Sequence, residues 1–176
     1  YNSMRTIAAC LGSVARQSVA PAEILVVDDD STDDTLALVR RFAADSTIPV
    51  RVLRNGHRNI SRGRNLGIAA TRTPLLAFLD SDAYAEPEWV AAIVAAFESP
   101  DVAIVGGEVL AAHDTRFAAA IAVSDGAVRD LAARGTILFT TCNMALHTGR
   151  VGGRRFDERW VYAEDVEYVH RVGNAV

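Results

Sequence analysis

Short continuous apolar runs alternate along the chain with segments in which apolar residues recur at helical spacing. The run at residues 75–79 is typical of a strand buried on both faces, as in a parallel sheet covered by helices. Similar runs predict strands at residues 23–27, 50–53 and 102–105. β-Branched and aromatic residues predict one more strand within residues 136–146.

Helical spacing predicts helices between these strands. Ile7, Leu11 and Val14 share one face of a first helix within residues 4–17. Further helices are predicted after residues 31–33, at 61–71 with Ser61 as its cap, after Pro87, within the alanine-rich segment 113–134, and at 164–171. Strands and helices alternate as in right-handed βαβ units, so we expect an α/β fold with a mixed, mainly parallel sheet flanked by helices.

Composition indicates one globular domain without a nucleic-acid footprint. Half of the 176 residues are hydrophobic, 23% are charged, and the net charge is −4. No apolar run reaches the roughly 20 residues that span a bilayer, and no signal-peptide pattern opens the chain. Cys10 and Cys142 lie outside any Cys-x-x-Cys pair, so we expect two buried free thiols.

Both ends of the chain suggest a fragment of a longer protein. No predicted strand precedes Tyr1, and the chain ends directly after a helical pattern. We therefore expect residues 1–176 to form a single domain that lacks its first strand and its C-terminal part.

Two predicted strands end in carboxylates. Asp28 and Asp29 follow one strand, and Asp80 and Asp82 follow another. Because ligands of open α/β sheets bind beyond the carboxyl ends of the strands, the two clusters predict an acidic cleft for a nucleotide and a divalent cation, typically Mg²⁺ or Mn²⁺. Turns rich in Asp and Ser are the alternative explanation of each cluster.

The phosphate-binding loops of common nucleotide sites are missing. No Gly-x-Gly-x-x-Gly follows the first predicted strand, and no Walker-type loop occurs. The chain contains no lysine, so a direct basic contact to phosphate falls to an arginine such as Arg62, Arg64 or Arg72.

Six short motifs in order give the chain a specific resemblance. They are Tyr1-Asn2, residues 26–33 (Val-Val-Asp-Asp-Asp-Ser-Thr-Asp), residues 64–67 (Arg-Asn-Leu-Gly), residues 78–82 (Phe-Leu-Asp-Ser-Asp), residues 156–158 (Phe-Asp-Glu) and Glu164-Asp165. The chain resembles the family 2 glycosyltransferases. That resemblance implies the glycosyltransferase A fold, a Rossmann-like fold that binds nucleotide-diphosphate sugars, and a catalytic domain over residues 1–176.

The resemblance also implies roles for residues on the nucleotide side. Tyr1 is expected to stack near the nucleotide base. Asp28 and Asp29 are expected to contact the base or ribose, and Arg64 to lie near the nucleotide.

Four acids are expected to surround the reacting groups. By resemblance, Asp82 binds Mn²⁺ or Mg²⁺, and Asp80 contacts the ribose or the metal and its water. Asp165 is expected to be the catalytic base, with Glu164 beside it contacting substrate. The ordinary preference for acids at a helix N-terminus is the alternative explanation of Glu164 and Asp165.

The implied reaction is an inverting, metal-dependent transfer from a UDP or GDP sugar to a carbohydrate or lipid-linked acceptor. The expected location is cytoplasmic or peripheral on the cytoplasmic face, with any membrane contact made by parts outside this segment. Trp160 and Tyr162 suit an acceptor site, although packing in the core explains them better. A nucleotidyltransferase and a non-catalytic nucleotide-sugar-binding domain are the alternative functions.

Overall fold

A computed structural model describes residues 1–110, 140–160 and 162–173. None of the helices in these ranges has both the length and the hydrophobicity that crossing a membrane requires. The helices are α1 (Ile7–Ala15), α2 (Thr35–Asp45), α3 (Ile60–Ala70), α4 (Trp89–Ala96) and α5 (Glu164–Gly173), and the strands are β1 (Ile24–Asp28), β2 (Val50–Arg54), β3 (Leu75–Leu79), β4 (Ile104–Gly106) and β5 (Asn143–His147).

The strands pair in two groups within the described residues. β1 and β2 are parallel, with Ile24 opposite Val50 and Asp28 opposite Arg54. β5 lies between β3 and β4 and is antiparallel to both, so β3 and β4 share one direction. The structure thus confirms the mixed α/β class, and β5 supplies its antiparallel component.

Each group of strands has its own cluster of buried apolar side chains. Ile7 and Leu11 of α1 pack with Val39 of α2 over β1 and β2. A second cluster joins β3, β4 and β5 to α3 and α5, and its buried members are Ile68, Met144, Leu146, Val151, Phe156, Tyr168 and Val172.

One strand is less buried than its sequence predicts. All five residues of β3 are half-buried, whereas Met144 to Leu146 of β5 are at most 1% exposed. The reason is that one edge of β3 has no partner strand among the described residues. The expectation that β3 is covered on both faces is therefore wrong for the residues that the structure describes.

The start of α3 also differs from the expectation. Asn59, and not Ser61, caps the helix, because its extended backbone lets the Asn59 side chain accept a hydrogen bond from Arg62 N. Ser61 is buried inside the helix. The predicted helix at 113–134 lies outside the described residues, as do residues 136–139 of the last predicted strand.

The two cysteines differ in environment. Cys10 is buried and free, as expected, but Cys142 is half-buried because it lies just before β5 begins. The expectation of a buried thiol is therefore wrong for Cys142.

Candidate active site

The chain segment after Tyr1 joins the carboxyl ends of β1 and β3. Asn2 N donates to Ser31 Oγ at 2.9 Å beyond β1, and the hydroxyls of Ser3 and Ser81 are 2.7 Å apart beyond β3. A cleft of about 550 Å³ lies at this edge. Its lining includes three of the predicted site residues, Tyr1, Asp80 and Asp82.

Hydrogen bonds hold the carboxylates that follow β1. Asp28 is buried, and its Oδ2 accepts from Ser31 N at 3.2 Å. Asp29 Oδ1 accepts from the backbone N–H groups of His57 and Arg58, at 3.1 and 2.8 Å. The guanidinium of Arg58 lies 5.1 Å from the centre of the Tyr1 ring. Asp29 thus positions Arg58 over Tyr1. Asp28 holds the turn that follows β1 through its hydrogen bond from Ser31 N.

The carboxylates that follow β3 have a different environment. Within the described residues, no hydrogen bond reaches the side-chain oxygens of Asp80 or Asp82, and both residues keep exposed surface. Partial desolvation raises the pKa of Asp80 above its usual value; Arg64 opposes this change, and the negative charges of Asp82, Asp165 and Glu164 add to it. Three other acids and one arginine therefore lie close enough to Asp80 to affect its charge.

The donor atoms at this edge fit a hard divalent cation. Asp80 and Asp82 offer carboxylate oxygens, which Mg²⁺ and Mn²⁺ prefer. No group of three or more His, Cys, Asp or Glu side chains in the described ranges is arranged as a metal site. Two carboxylates suit a cation that takes its other ligands from phosphate and water.

The beginning of α5 brings two more predicted residues to the site. Glu164 is 7% exposed and forms an ion pair with Arg64 of α3. Asp165 is half-buried; its Oδ2 accepts from Thr141 N at 3.3 Å and its Oδ1 from Val166 N at 2.9 Å. Ala163 has a φ of 55°, a left-handed conformation that alanine rarely adopts, directly before these two acids.

Three polar residues of α3 and its cap hold the segment that leads to α5. Asn65 donates to Phe156 O at 2.9 Å and accepts from Phe156 N at 2.8 Å. Asn59 donates to Glu158 O, and Ser61 donates to Trp160 O. The sequence analysis gave these residues no role at the site, although polar side chains at positions 61 and 65 already mark one face of the helix.

Ser13 of α1 and Gln17, two residues beyond the end of that helix, hold the segment that follows β3. Gln17 donates to Glu86 O at 2.7 Å and accepts from Val90 N at 2.9 Å, and Ser13 Oγ accepts from Ala85 N at 3.0 Å. Both are buried. The sequence analysis missed them; their separation of four residues within the predicted amphipathic helix was the available signal.

Two aromatic residues near the site are not core residues. Trp160 is 46% exposed and Tyr162 is 85% exposed, so the preference for core packing is wrong for both. Asn59 and Ser61 hold the backbone carbonyls of Glu158 and Trp160, and the side chains of Trp160 and Tyr162 face solvent.

Cys10 lies against the β3 end but is unsuited to nucleophilic chemistry. Its Sγ donates to Asp80 O at 3.4 Å. Burial, together with the charges of Asp82 and Asp80, raises the pKa of the thiol to about 11, so the reactive thiolate is scarce near neutral pH.

Comparison with known sequences decides the family. The sequence model described as "Glycosyl transferase family 2" matches residues 1–145. The chain belongs to this family. The resemblance that the six motifs carry is thereby confirmed, and so is the expected fold.

Curated family 2 relatives match part of the chain. The validoxylamine A glucosyltransferase of Streptomyces hygroscopicus subsp. limoneus is 36% identical over 102 residues, which are 57% of this chain and 22% of the relative. The Escherichia coli enzyme WfgD, a UDP-Glc:alpha-D-GlcNAc-diphosphoundecaprenol beta-1,3-glucosyltransferase, is 41% identical over 83 residues, which are 47% of this chain and 32% of the enzyme. The matched segments thus cover about a fifth to a third of these relatives.

Solved structures share the fold over almost the whole chain. The mannosyltransferase PcManGT from Pyrobaculum calidifontis, in complex with GDP-Man and Mn²⁺, has a TM-score of 0.74 at 20% identity; the match covers 98% of this chain and 49% of that protein. The glucosyl-3-phosphoglycerate synthase of Mycobacterium tuberculosis, in complex with Mn²⁺ and UDP-glucose, has a TM-score of 0.64 at 18% identity, over 98% of this chain and 62% of the synthase.

Proposed function

We propose that the chain is the donor-binding and catalytic part of an inverting glycosyltransferase that uses a nucleotide-diphosphate sugar and a divalent cation. The observation that carries this proposal is the convergence of Asp80, Asp82, Arg64, Glu164 and Asp165 at the carboxyl edge of the strands. Family membership gives that convergence its chemical meaning. A UDP or GDP sugar is the proposed donor class.

The β3 end is the proposed diphosphate site. Asp82 and Asp80 would hold Mn²⁺ or Mg²⁺, and two solved relatives of this fold contain Mn²⁺ together with a nucleotide sugar. Bound there, the cation would neutralise charge on the departing diphosphate. At the far end of the cleft, Tyr1 and Arg58 would enclose the nucleotide base, and Asp29 would hold Arg58 in place.

Asp165 is the proposed general base. In the transfer, the acceptor oxygen bonds to the anomeric carbon as the bond from that carbon to the diphosphate oxygen breaks. The electron pair leaves with the diphosphate, and the acceptor's hydroxyl proton passes to the Asp165 carboxylate. Its hydrogen bonds to Thr141 N and Val166 N fix the carboxylate and leave a lone pair on each oxygen. Arg64 would hold Glu164, and so the first turn of α5, in position.

The acceptor is proposed to be a carbohydrate or a lipid-linked sugar. WfgD acts on a diphosphoundecaprenol-linked sugar according to its name. Exposed Trp160 and Tyr162 lie just before Asp165 in the chain and offer flat apolar faces of the kind that suit a sugar ring. A lipid-linked acceptor would bring the enzyme to the cytoplasmic face of a membrane.

Nucleotide titration in the full-length protein tests the proposal. We expect UDP or GDP to bind at least about tenfold more tightly with Mn²⁺ than with a chelator, because the cation joins Asp82 to the diphosphate. Asp82→Asn should remove the dependence on Mn²⁺. The matched control is Asp45→Asn, which changes an exposed acid at the end of α2.

Two outcomes would contradict the proposal. If the unaltered protein bound UDP and GDP with the same affinity with Mn²⁺ as with a chelator, a non-catalytic binding domain would be favoured. Transfer of a nucleotidyl group, instead of a sugar, from the donor would favour the nucleotidyltransferase alternative.

A further inference from the structure

A hydroxyl group lies between the two acids that follow β3. Residues 80–83 form a β-turn in which Ala83 N donates to Asp80 O at 3.0 Å, and Ser81 and Asp82 are its central residues. Of the three side chains from Asp80 to Asp82, only that of Ser81 takes part in a hydrogen bond within the described part of the chain. The Ser81 hydroxyl is therefore the side-chain contact through which the rest of the molecule holds these two acids.

The partner of Ser81 is the hydroxyl of Ser3, and the two oxygens are 2.7 Å apart. The backbone of Ser3 is fixed on two sides. Its N–H donates to Thr35 Oγ1 at 2.7 Å, and its carbonyl accepts from Thr6 N and Ile7 N at 3.0 and 2.9 Å. Thr35 is the first residue of α2 and is only 4% exposed. Ser3 thus ties the turn after β3 to the beginnings of α1 and α2.

The segment that carries Ser3 is also tied to the end of β1. Asn2 N donates to Ser31 Oγ at 2.9 Å, and Ser31 N donates to Asp28 Oδ2 at 3.2 Å. Asp28 is buried. Ser3 therefore offers Ser81 a partner whose own position is fixed by two helices and by the turn that follows β1.

Like charges give this contact its importance. A binding site gains affinity when its ligands are held in place before the ligand arrives. Asp80 and Asp82 repel each other when no cation lies near them. A hydrogen bond from Ser81, the residue between them, restricts how far the turn can move. It acts on both acids through the backbone of the turn.

We propose that Ser3 and Ser81 are positioning residues whose shared hydrogen bond holds Asp80 and Asp82 at the spacing that a divalent cation needs. This inference rests on the proposed function, because it gives the pair a part in binding that cation. The loss of one such hydrogen bond changes an equilibrium constant about fivefold. Effects of that size are therefore expected in both of the following measurements.

Amide hydrogen exchange tests the positioning in the full-length protein with neither metal nor donor present. We expect Ser3→Ala to speed the exchange of the Ala83 amide, which closes the turn, on the order of fivefold. The Ile48 amide is the internal control, because it donates to Ser46 Oγ at the other end of α2. Unchanged exchange at Ala83 would overturn the proposal.

Mn²⁺ binding tests what the positioning serves. With excess UDP or GDP, we expect Ser3→Ala and Ser81→Ala each to weaken Mn²⁺ binding on the order of fivefold. The double variant should bind no more weakly than either single variant, since both substitutions remove the same hydrogen bond. The matched control is Ser46→Ala, which removes another half-buried hydroxyl and should leave Mn²⁺ affinity unchanged. Electron paramagnetic resonance of free Mn²⁺ measures all four variants.

The outcomes distinguish this inference from the proposed function. Losses that multiply in the double variant would overturn the shared hydrogen bond and leave the proposed function standing. Mn²⁺ binding by Ser81→Ala that equals that of Ser46→Ala would do the same. Absence of Mn²⁺ binding in the unaltered protein, or its persistence in Asp82→Asn, would overturn the proposed function and this inference with it.

Discussion

The acids after β3 and the acids that begin α5 lie at the same edge of the molecule but are balanced in opposite ways. Asp80 and Asp82 receive no hydrogen bond from the described residues, and partial desolvation, with a smaller contribution from nearby negative charge, raises the pKa of Asp80. Glu164 is paired with Arg64, and Asp165 accepts two backbone N–H groups.

This difference suits the two pairs of acids to different roles, cation binding and general-base catalysis. Carboxylates that repel each other and remain without donors are stabilised by an added cation, as a metal ligand must be. A carboxylate held by two backbone donors keeps one orientation, as a general base must. The comparison therefore supports the proposal that the β3 end binds the cation and that α5 carries the general base.

The largest expected effect comes from removing one carboxylate charge after β3 or one at the start of α5. In the full-length enzyme, Asp82→Asn and Asp165→Asn should each lower turnover about 10³-fold, because one loses the cation and the other the base. Nucleotide binding should then separate them: Asp82→Asn loses the dependence on Mn²⁺, and Asp165→Asn keeps it. Steady-state kinetics and calorimetric titration measure the two properties.

Controls keep this test specific. Glu167→Gln changes an acid of the same first turn of α5 that pairs with Arg171, and it should leave turnover nearly unchanged. Near-normal turnover in Asp165→Asn would show that another group takes the proton. Loss of Mn²⁺ dependence in both variants would remove the distinction between the two sides.

The next largest effect is expected from breaking the ion pair between Arg64 and Glu164 at the start of α5. Arg64→Met leaves Glu164 buried without its partner, so we expect a loss of about 3 kcal/mol in the free energy of unfolding. Adding Glu164→Gln should recover part of that loss. Denaturant unfolding measures both variants.

A second ion pair provides the control for this measurement. Arg171→Met breaks the more exposed pair with Glu167 and should cost less than about 1 kcal/mol. Equal losses in the Arg64 and Arg171 variants would show that the buried pair has no special part in holding α5.

Substitution of the polar residues that hold the segment before α5 and the segment after β3 should have smaller effects. The two substitutions should differ in whether turnover or nucleotide affinity falls more. Asn65→Ala removes two hydrogen bonds to Phe156 and should cost about 1–2 kcal/mol of stability. Because Phe156 leads to α5, turnover should fall more than nucleotide affinity. Gln17→Ala loosens the segment after β3 and should reduce Mn²⁺-dependent affinity more. The same response in both variants would contradict the division of roles.

The sequence predicted those parts of the molecule that depend on local pattern. The apolar runs located β1 and β3, and the acids directly after them predicted one edge of the candidate site. Other features join residues far apart in the chain: Arg64 and Glu164 are 100 residues apart, and Asn65 and Phe156 are 91 apart. No local periodicity encodes such contacts.

Strand direction and burial were also beyond local pattern. β5 is antiparallel because of where the chain returns to the sheet, which the composition of Asn143–His147 does not specify. An apolar run such as Leu75–Leu79 indicates a buried strand, but its burial depends on a neighbour at its free edge. Trp160 and Tyr162 are likewise exposed although both are aromatic, so their apolar character alone does not predict burial.

The smallest expected effect tests whether the charge of Asp80, after β3, destabilises the folded protein when no cation is bound. At neutral pH with a chelator present, Asp80→Asn should raise the free energy of unfolding, by less than about 1 kcal/mol, since it removes a partly desolvated charge that neighbouring acids also repel. Glu164→Gln should lower it, because Arg64 then loses its charged partner. Adding Mn²⁺ with UDP or GDP should raise the melting temperature of the unaltered protein and of Glu164→Gln, but not of Asp80→Asn. A stabilising effect of Glu164→Gln, or a destabilising effect of Asp80→Asn, would reverse the assignment of the two acid pairs.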